Sequence, residues 1–163
     1  MNNIIIDTAL LIHTLTQPII FFIVFTIIVI FILTTKKHEN ALLLCSSLAV
    51  TGILVTILKS IFKIERPENA ILLLNDYAFP SGHAALGFCL TTAVSIIAIR
   101  NLEKRWQEAS VITFFLLISI CISYSRIVLG LHTYIQIIAG AVIGILIPSV
   151  IFYILNKKKT RKK

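Results

Sequence analysis

Three short stretches of the chain hold residue types that could act on a phosphate group. The first is Lys59-Ser-Ile-Phe-Lys-Ile-Glu-Arg66-Pro67. Seven residues are two helical turns, so a continuous helix would carry Lys59 and Arg66 on nearly one stripe. Pro67 disfavours helix at Arg66, which predicts that the helix stops there. Two long cations would then meet one anion, Arg as a planar fork and Lys as a mobile point charge. The second stretch is Phe79-Pro80-Ser81-Gly82-His83. Ser81 is a good helix N-cap, Gly82 lets an anion approach the backbone, and free N–H groups at a helix start bind phosphate. His83 could give or accept a proton near neutral pH. The third is Ser125-Arg126-Ile-Val-Leu-Gly130-Leu-His132. Arg126 supplies another anion clamp, and Gly130 permits a bend before His132. Each stretch alone has an ordinary reading: a snorkelling Lys, a capped helix with a surface His, or a His at an interface. Jointly they assemble three cations, a capped helix start and two histidines. That inventory suits phosphoryl transfer by charge clamping and positioning, with a histidine as covalent nucleophile.

The elements that must position these residues are membrane helices. Of 163 residues, 58% are apolar and only 13% charged, about half the charged share of a soluble domain. A disordered chain and an ordinary soluble globule are thereby excluded. Five apolar runs approach the ~20 residues that a bilayer-crossing helix needs. They are Pro18 to Thr34, Ala41 to Leu58, Ala84 to Ile99, Ala109 to Tyr124, and Tyr134 to Leu155. Residues 4–16 are more polar, with Asp7, His13, Thr14 and Thr16 among aliphatics, and are expected to lie along the interface as part of a 1–17 segment. The start lacks a basic n-region, which predicts insertion by the spans themselves. No repeat or linker interrupts the chain. The expected fold is a single all-α membrane bundle over residues 1–163, with about five transmembrane helices, an N-terminal interfacial helix and a basic tail over 157–163.

The net charge of +8 reports topology, not nucleic-acid binding, because the cations sit in short runs between long uncharged stretches. Lys36, Lys37, Arg100, Lys104, Arg105 and the tail Lys157, Lys158, Lys159, Arg161, Lys162 and Lys163 would share one side. Lys59, Lys63, Arg66 and Arg126 would share the other. The richer side is expected in the cytoplasm. The motif-bearing connections then face outward, in a multi-pass protein of the cell membrane. Lys59 and Arg126 fall at the ends of apolar spans, where a charge is costly and is usually kept for a site. Cys45, Cys89 and Cys121 lie inside apolar runs and read as packing residues, and no metal-ligand spacing is present.

These three motifs resemble the signature of the type 2 phosphatidic acid phosphatase superfamily, integral-membrane lipid phosphatases related to vanadium haloperoxidases. That signature is Lys-x6-Arg-Pro, then Pro-Ser-Gly-His, then Ser-Arg-x5-His-x3-Asp. The resemblance covers roughly residues 59–140 and implies a phosphatase that uses no metal or other cofactor. It further implies that His132 attacks phosphorus and becomes phosphohistidine. Lys59, Arg66 and Arg126, helped by Ser81 and the Gly82 backbone, would hold the phosphoryl oxygens. His83 would protonate the leaving oxygen and then activate water. The departure is Gln136, which stands where the family has Asp four residues after the nucleophile. Its side chain would sit one turn along from His132. It can accept the imidazole N–H but supplies no negative charge. The analogous Asp-to-Asn change in serine proteases lowers turnover by about four orders of magnitude. Asp76, Glu65 and Glu68 are expected on the same side and could offer a carboxylate instead.

An outward site suits a polyprenyl diphosphate such as undecaprenyl diphosphate, the first expectation for substrate. Phosphatidylglycerophosphate, phosphatidate and a lipid A-type glycolipid are the alternatives. The apolar run Ala70 to Leu74 could border an opening for the lipid tail or plug the bundle. A non-catalytic lipid-phosphate binder is a second class, supported by Gln136. A structural protein whose copies pair through Gly140-x3-Gly144 is a third. It leaves the outer cations and histidines unexplained. The basic tail more simply anchors the last span against anionic lipid.

Overall fold

Four of the expected spans are long helices in the computed structural model, which describes residues 2–17, 23, 26, 30, 38–72 and 74–160. Helix α1 is Asn2–Leu15, α2 His38–Phe62, α3 Gly82–Asn101, α4 Arg105–Val128 and α5 Tyr134–Thr160. Each of α2 to α5 extends its apolar run into polar flanks and is long and apolar enough to cross a membrane. The expected span Pro18 to Thr34 lies outside the described residues, apart from three isolated positions, as does the end of the basic tail. No strand occurs among the described residues.

Helix α3 is the hub. It packs against α5, α4 and α2, while α1 lies against α4. Lipid gives helices no hydrophobic reason to associate, so close backbone approach and interhelical hydrogen bonds must hold them. The α3 face is accordingly small: Ala84, Ala85, Gly87 and Ala93 are all buried. Leu44 and Leu48 of α2 pack on Cys89 and Ala93 of α3. Between α3 and α4, the Thr91 hydroxyl lies 2.7 Å from that of Ser119 and donates to the Phe115 carbonyl at 3.0 Å. Large apolar side chains instead point outward, including Ile53, Phe114, Leu117, Ile138 and Leu146. That inversion is expected when the solvent is a hydrocarbon.

The glycines of α5 serve this packing. A Cβ on Gly140 would come within 2.5 Å of the Ser81 carbonyl oxygen, and one on Gly144 would overlap the Ala85 carbonyl and approach the Cys89 nitrogen to 2.8 Å. The expectation that Gly140 and Gly144 pair two copies is therefore corrected. Both glycines face α3 of the same chain, where two backbones touch.

The connections at one end of the bundle are tied to each other. Lys63, with φ 47°, closes α2 in the left-handed region, and its N–H reaches the Lys59 carbonyl at 3.0 Å. The 63–81 connection folds over the α4–α5 turn, where Ile71 N–H donates to Leu129 O at 3.0 Å. Gly130 has φ 66°, and a Cβ there would meet Asn69 O at 2.7 Å. Leu131 N–H returns to Arg126 O at 2.9 Å, and Ser81 N–H to Gln136 O at 3.1 Å. At the opposite end Arg100 pairs with Glu39 at 3.2 Å.

Gly144→Ala is expected to destabilise the bundle by about 1–3 kcal/mol, since backbone cannot move aside for the new methyl. Gly52→Ala, whose Cβ would meet nothing within 4 Å, is expected to leave stability unchanged or slightly raised. Thermal unfolding in detergent compares the two, and equal losses would contradict the packing described.

Candidate active site

All three motifs converge at the end of the bundle that carries the tied connections. Lys59 stands on the last turn of α2, His83 on the first turn of α3, Arg126 on the last turn of α4, and Gln136 on the first turn of α5. Arg66 and Asp76 come from the 63–81 connection, and His132 precedes α5.

Lys59 and Arg66 meet by a different route from the expected helical stripe. Helix α2 ends at Phe62, four residues before Arg66, because Lys63 turns left-handed. The chain then folds back, and Asp76 joins the two cations. Its carboxylate accepts from Lys59 Nζ at 2.6 Å and from Arg66 Nη2 at 2.5 Å. Lys59 also donates to the Tyr77 carbonyl, and Arg66 Nε to the Asp76 carbonyl at 3.2 Å. Burial raises the Asp76 pKa, but hydrogen bonds from Lys59 and Arg66 outweigh it and hold the carboxyl below its usual range.

Arg66 continues inward. Its Nη1 donates to Leu131 O at 2.9 Å and lies 3.4 Å from His132 Nε2. On the other side of that ring, His132 Nδ1 lies 3.1 Å from Gln136 Oε1. The same oxygen accepts the Thr133 backbone N–H at 3.0 Å. A backbone N–H can only donate, so the atom facing it must be the amide oxygen. His132 Nδ1 then has to be the protonated nitrogen, leaving the Nε2 lone pair toward Arg66. Both His132 and Gln136 are buried. Burial first, and the Arg66 charge second, lower the His132 pKa to about 4, against the opposing Gln136 hydrogen bond. Neither Asp76 nor another carboxylate replaces the missing family Asp: Asp76 connects to His132 only through Arg66.

Arg126 is 1% exposed, and its partners were not foreseen. Nε donates to Ser125 Oγ at 3.1 Å, Nη1 to His13 Nδ1 at 2.7 Å, and Nη2 to Thr16 Oγ1 at 3.3 Å. His13 and Thr16 belong to the N-terminal segment, expected only to lie along the interface. It also packs inward, with Ala9 buried against Leu129 and Leu131. His13 and Thr16 are three apart, on one helical face. That spacing was the available signal. His83 lies within electrostatic reach of Arg126, His132 and His13, and beside the Thr16 backbone.

Ser81 is the N-cap of α3, as expected, and its carbonyl accepts the Ala85 N–H at 3.0 Å, but its side chain makes no capping hydrogen bond. Among the described residues its hydroxyl is buried without a hydrogen-bond partner, as are those of Ser47 and Ser123. Gly82 has room for a Cβ, which would meet only Val55 Cγ1 at 3.7 Å. Packing therefore does not require a glycine there. Among the described residues, no group of three or more His, Cys, Asp or Glu could hold a metal ion.

The model of the PAP2 superfamily matches residues 40–160. Lipid phosphate phosphatase gamma of Arabidopsis thaliana is 26% identical in an alignment 135 residues long, which covers 74% of this chain and 56% of that protein. The chain thus spans little more than half the length of that curated relative. The crystal structure of the first transmembrane PAP2 type phosphatidylglycerolphosphate phosphatase, from Bacillus subtilis, superposes with a TM-score of 0.82 at 20% identity. That match covers 93% of this chain and 77% of the other, and at such identity it shows the fold. LpxE of Aquifex aeolicus gives a TM-score of 0.57 at 27% identity, over 88% of this chain and 92% of its own.

Histidine NMR tests the His132 assignment directly. The ring is expected as the Nδ1–H tautomer, titrating near pH 4. In Gln136→Asp the carboxylate favours the imidazolium, so the titration should move upward by one unit or more. An Nε2–H tautomer, or no upward movement, would contradict the geometry.

Proposed function

The chain belongs to the PAP2 superfamily, and on that footing we propose that it is a lipid phosphate phosphatase working through a phosphohistidine on His132. The carrying observation is the His132 ring itself. Its Nδ1 proton is held by Gln136, and its Nε2 lone pair faces the cation Arg66. A neutral, oriented imidazole among cations is what attack on an anionic phosphorus requires.

Nε2 attacks phosphorus, the P–N bond forms, and the P–O bond to the lipid breaks. Lys59, Arg66 and Arg126 neutralise the equatorial oxygens, taking the part that a metal ion plays in other phosphatases. The Ser81 hydroxyl, buried without a partner among the described residues, and the Gly82 backbone N–H are further donors to those oxygens. His83 gives its proton to the leaving oxygen. It then takes one from the incoming water, whose attack breaks the P–N bond and releases phosphate. Gln136 replaces the family Asp as the acceptor that sets the tautomer. It lends no charge to the cation that develops on the ring, so turnover should be slower than with Asp.

The substrate we assign is a polyprenyl diphosphate such as undecaprenyl diphosphate, cleaved to its monophosphate. One feature supports it: the cation-poor end of the bundle carries the site. By the positive-inside rule that end faces away from the cytoplasm of the cell membrane, and the basic tail lies within. The likeness to the Bacillus subtilis phosphatidylglycerolphosphate phosphatase makes phosphatidylglycerophosphate the second substrate to test.

Phosphate release in detergent, from polyprenyl diphosphate, phosphatidylglycerophosphate and phosphatidate, tests the reading. Release is expected to persist in excess EDTA, to be fastest on the diphosphate, and to fall by three orders of magnitude or more in His132→Ala, on the order seen when a covalent nucleophile is removed. Folded protein that binds vanadate yet releases phosphate from none of these lipids would identify a non-catalytic binder.

A further inference from the structure

The family match begins at residue 40, yet α1, before it, ends inside the site. Arg126 is nearly sealed from solvent. A guanidinium in that position needs acceptors, since an unpaired buried charge is strongly destabilising. Three of its five N–H groups have them, and two of those three acceptors come from α1 and the turn after it: His13 Nδ1 and Thr16 Oγ1. The Thr16 hydroxyl gives its own proton to Ile12 O at 2.7 Å, which leaves a lone pair for Arg126. Arginine has no acceptor atom, so His13 Nδ1 must be unprotonated and the ring neutral. At 2.7 Å this is a short, charge-assisted hydrogen bond. Ala9, seated against Leu129 and Leu131, fixes α1 beside the turn that follows Arg126.

We propose that His13 is a positioning residue of the phosphate site, its neutral imidazole orienting the Arg126 guanidinium so that the remaining N–H groups meet the phosphoryl oxygens. This rests on the reading of Arg126 as a phosphate ligand. The N-terminal helix thereby completes a site that the three motifs leave unfinished. A consequence is pH dependence. Protonation removes the acceptor and sets an imidazolium against Arg126, so the clamp loosens as pH falls. Burial first, and the Arg126 charge second, lower the His13 pKa, so the loosening comes below the ordinary histidine range. The groups facing His13 are Arg126 on α4 and His83 on α3, with Arg66 and His132 next beyond.

Orthovanadate binding by the full chain in detergent tests this without needing turnover. His13→Ala is expected to weaken binding about tenfold at pH 7.5. His13→Asn, whose amide oxygen can replace Nδ1, is expected to stay within about twofold of the native protein. Between pH 7.5 and 4.5 the affinity of the native protein relative to His13→Asn should fall. His83, His132 and vanadate itself titrate in both proteins, so the ratio isolates His13. Folded His13→Ala that binds vanadate as tightly as native overturns the proposal, and so does a pH-independent ratio. If His13→Ala does not fold, the ratio alone decides. Arg126→Ala separates the two layers. Undiminished binding there refutes the phosphate-site reading, whereas loss there with none in His13→Ala refutes only the role of His13.

Discussion

Positive charge must be gathered beside one histidine at the end of an apolar bundle, and each cation must have an acceptor when no anion is bound. That requirement organises the rest of the structure. Lys59 and Arg66 share the Asp76 carboxylate, while Arg126 is held by Ser125, His13 and Thr16. The two solutions differ in kind. Asp76 is half-exposed on a connection, and an entering phosphate would compete with it for the same donors. The acceptors of Arg126 are neutral and can keep their bonds when an anion arrives. On the proposed mechanism one part of the clamp would exchange partners on binding, while the other is built in advance.

The same economy explains why Gln136 is compatible with an ordered site. The amide oxygen accepts from both His132 and the Thr133 backbone, so its orientation is fixed by a donor that cannot reverse. Tautomer control survives the loss of the carboxylate. What is lost is charge, and with it the support for an imidazolium. Burial and Arg66 push the His132 ring the same way, toward neutrality. On the proposed mechanism that suits the attacking nitrogen. The cost falls on the phosphohistidine stage, where positive character on the ring has no carboxylate beside it.

Much of this was legible in the sequence because it is written locally. Lys59, Arg66, Arg126, His83 and His132 stand out as rare charges and histidines at the ends of apolar runs. Four of the five expected spans follow from composition, and the His132–Gln136 contact joins residues four apart, with His132 itself standing just before α5. What was hidden depends on distant parts of the chain. The meeting of Lys59 and Arg66 needs a left-handed Lys63 and a folded-back connection, and no local pattern announces either. Gly140 and Gly144 look alike whether they face another copy or, as here, α3 of the same chain. The Ser81 type favours capping, yet tertiary placement leaves its hydroxyl without a partner among the described residues. In the sequence His13 is one of several polar residues in an amphipathic segment, and only packing of Ala9 against Leu129 and Leu131 carries it to Arg126.

The central claim is that His132, poised by a neutral amide, is the nucleophile that takes the phosphoryl group. Rapid mixing with a ³²P-labelled lipid diphosphate, followed by alkaline quench and peptide mapping, measures that most directly. The account requires acid-labile, alkali-stable label on the peptide containing His132, and none in His132→Ala. Label on another residue, or phosphate released in a pre-steady-state burst without any labelled protein, would contradict it.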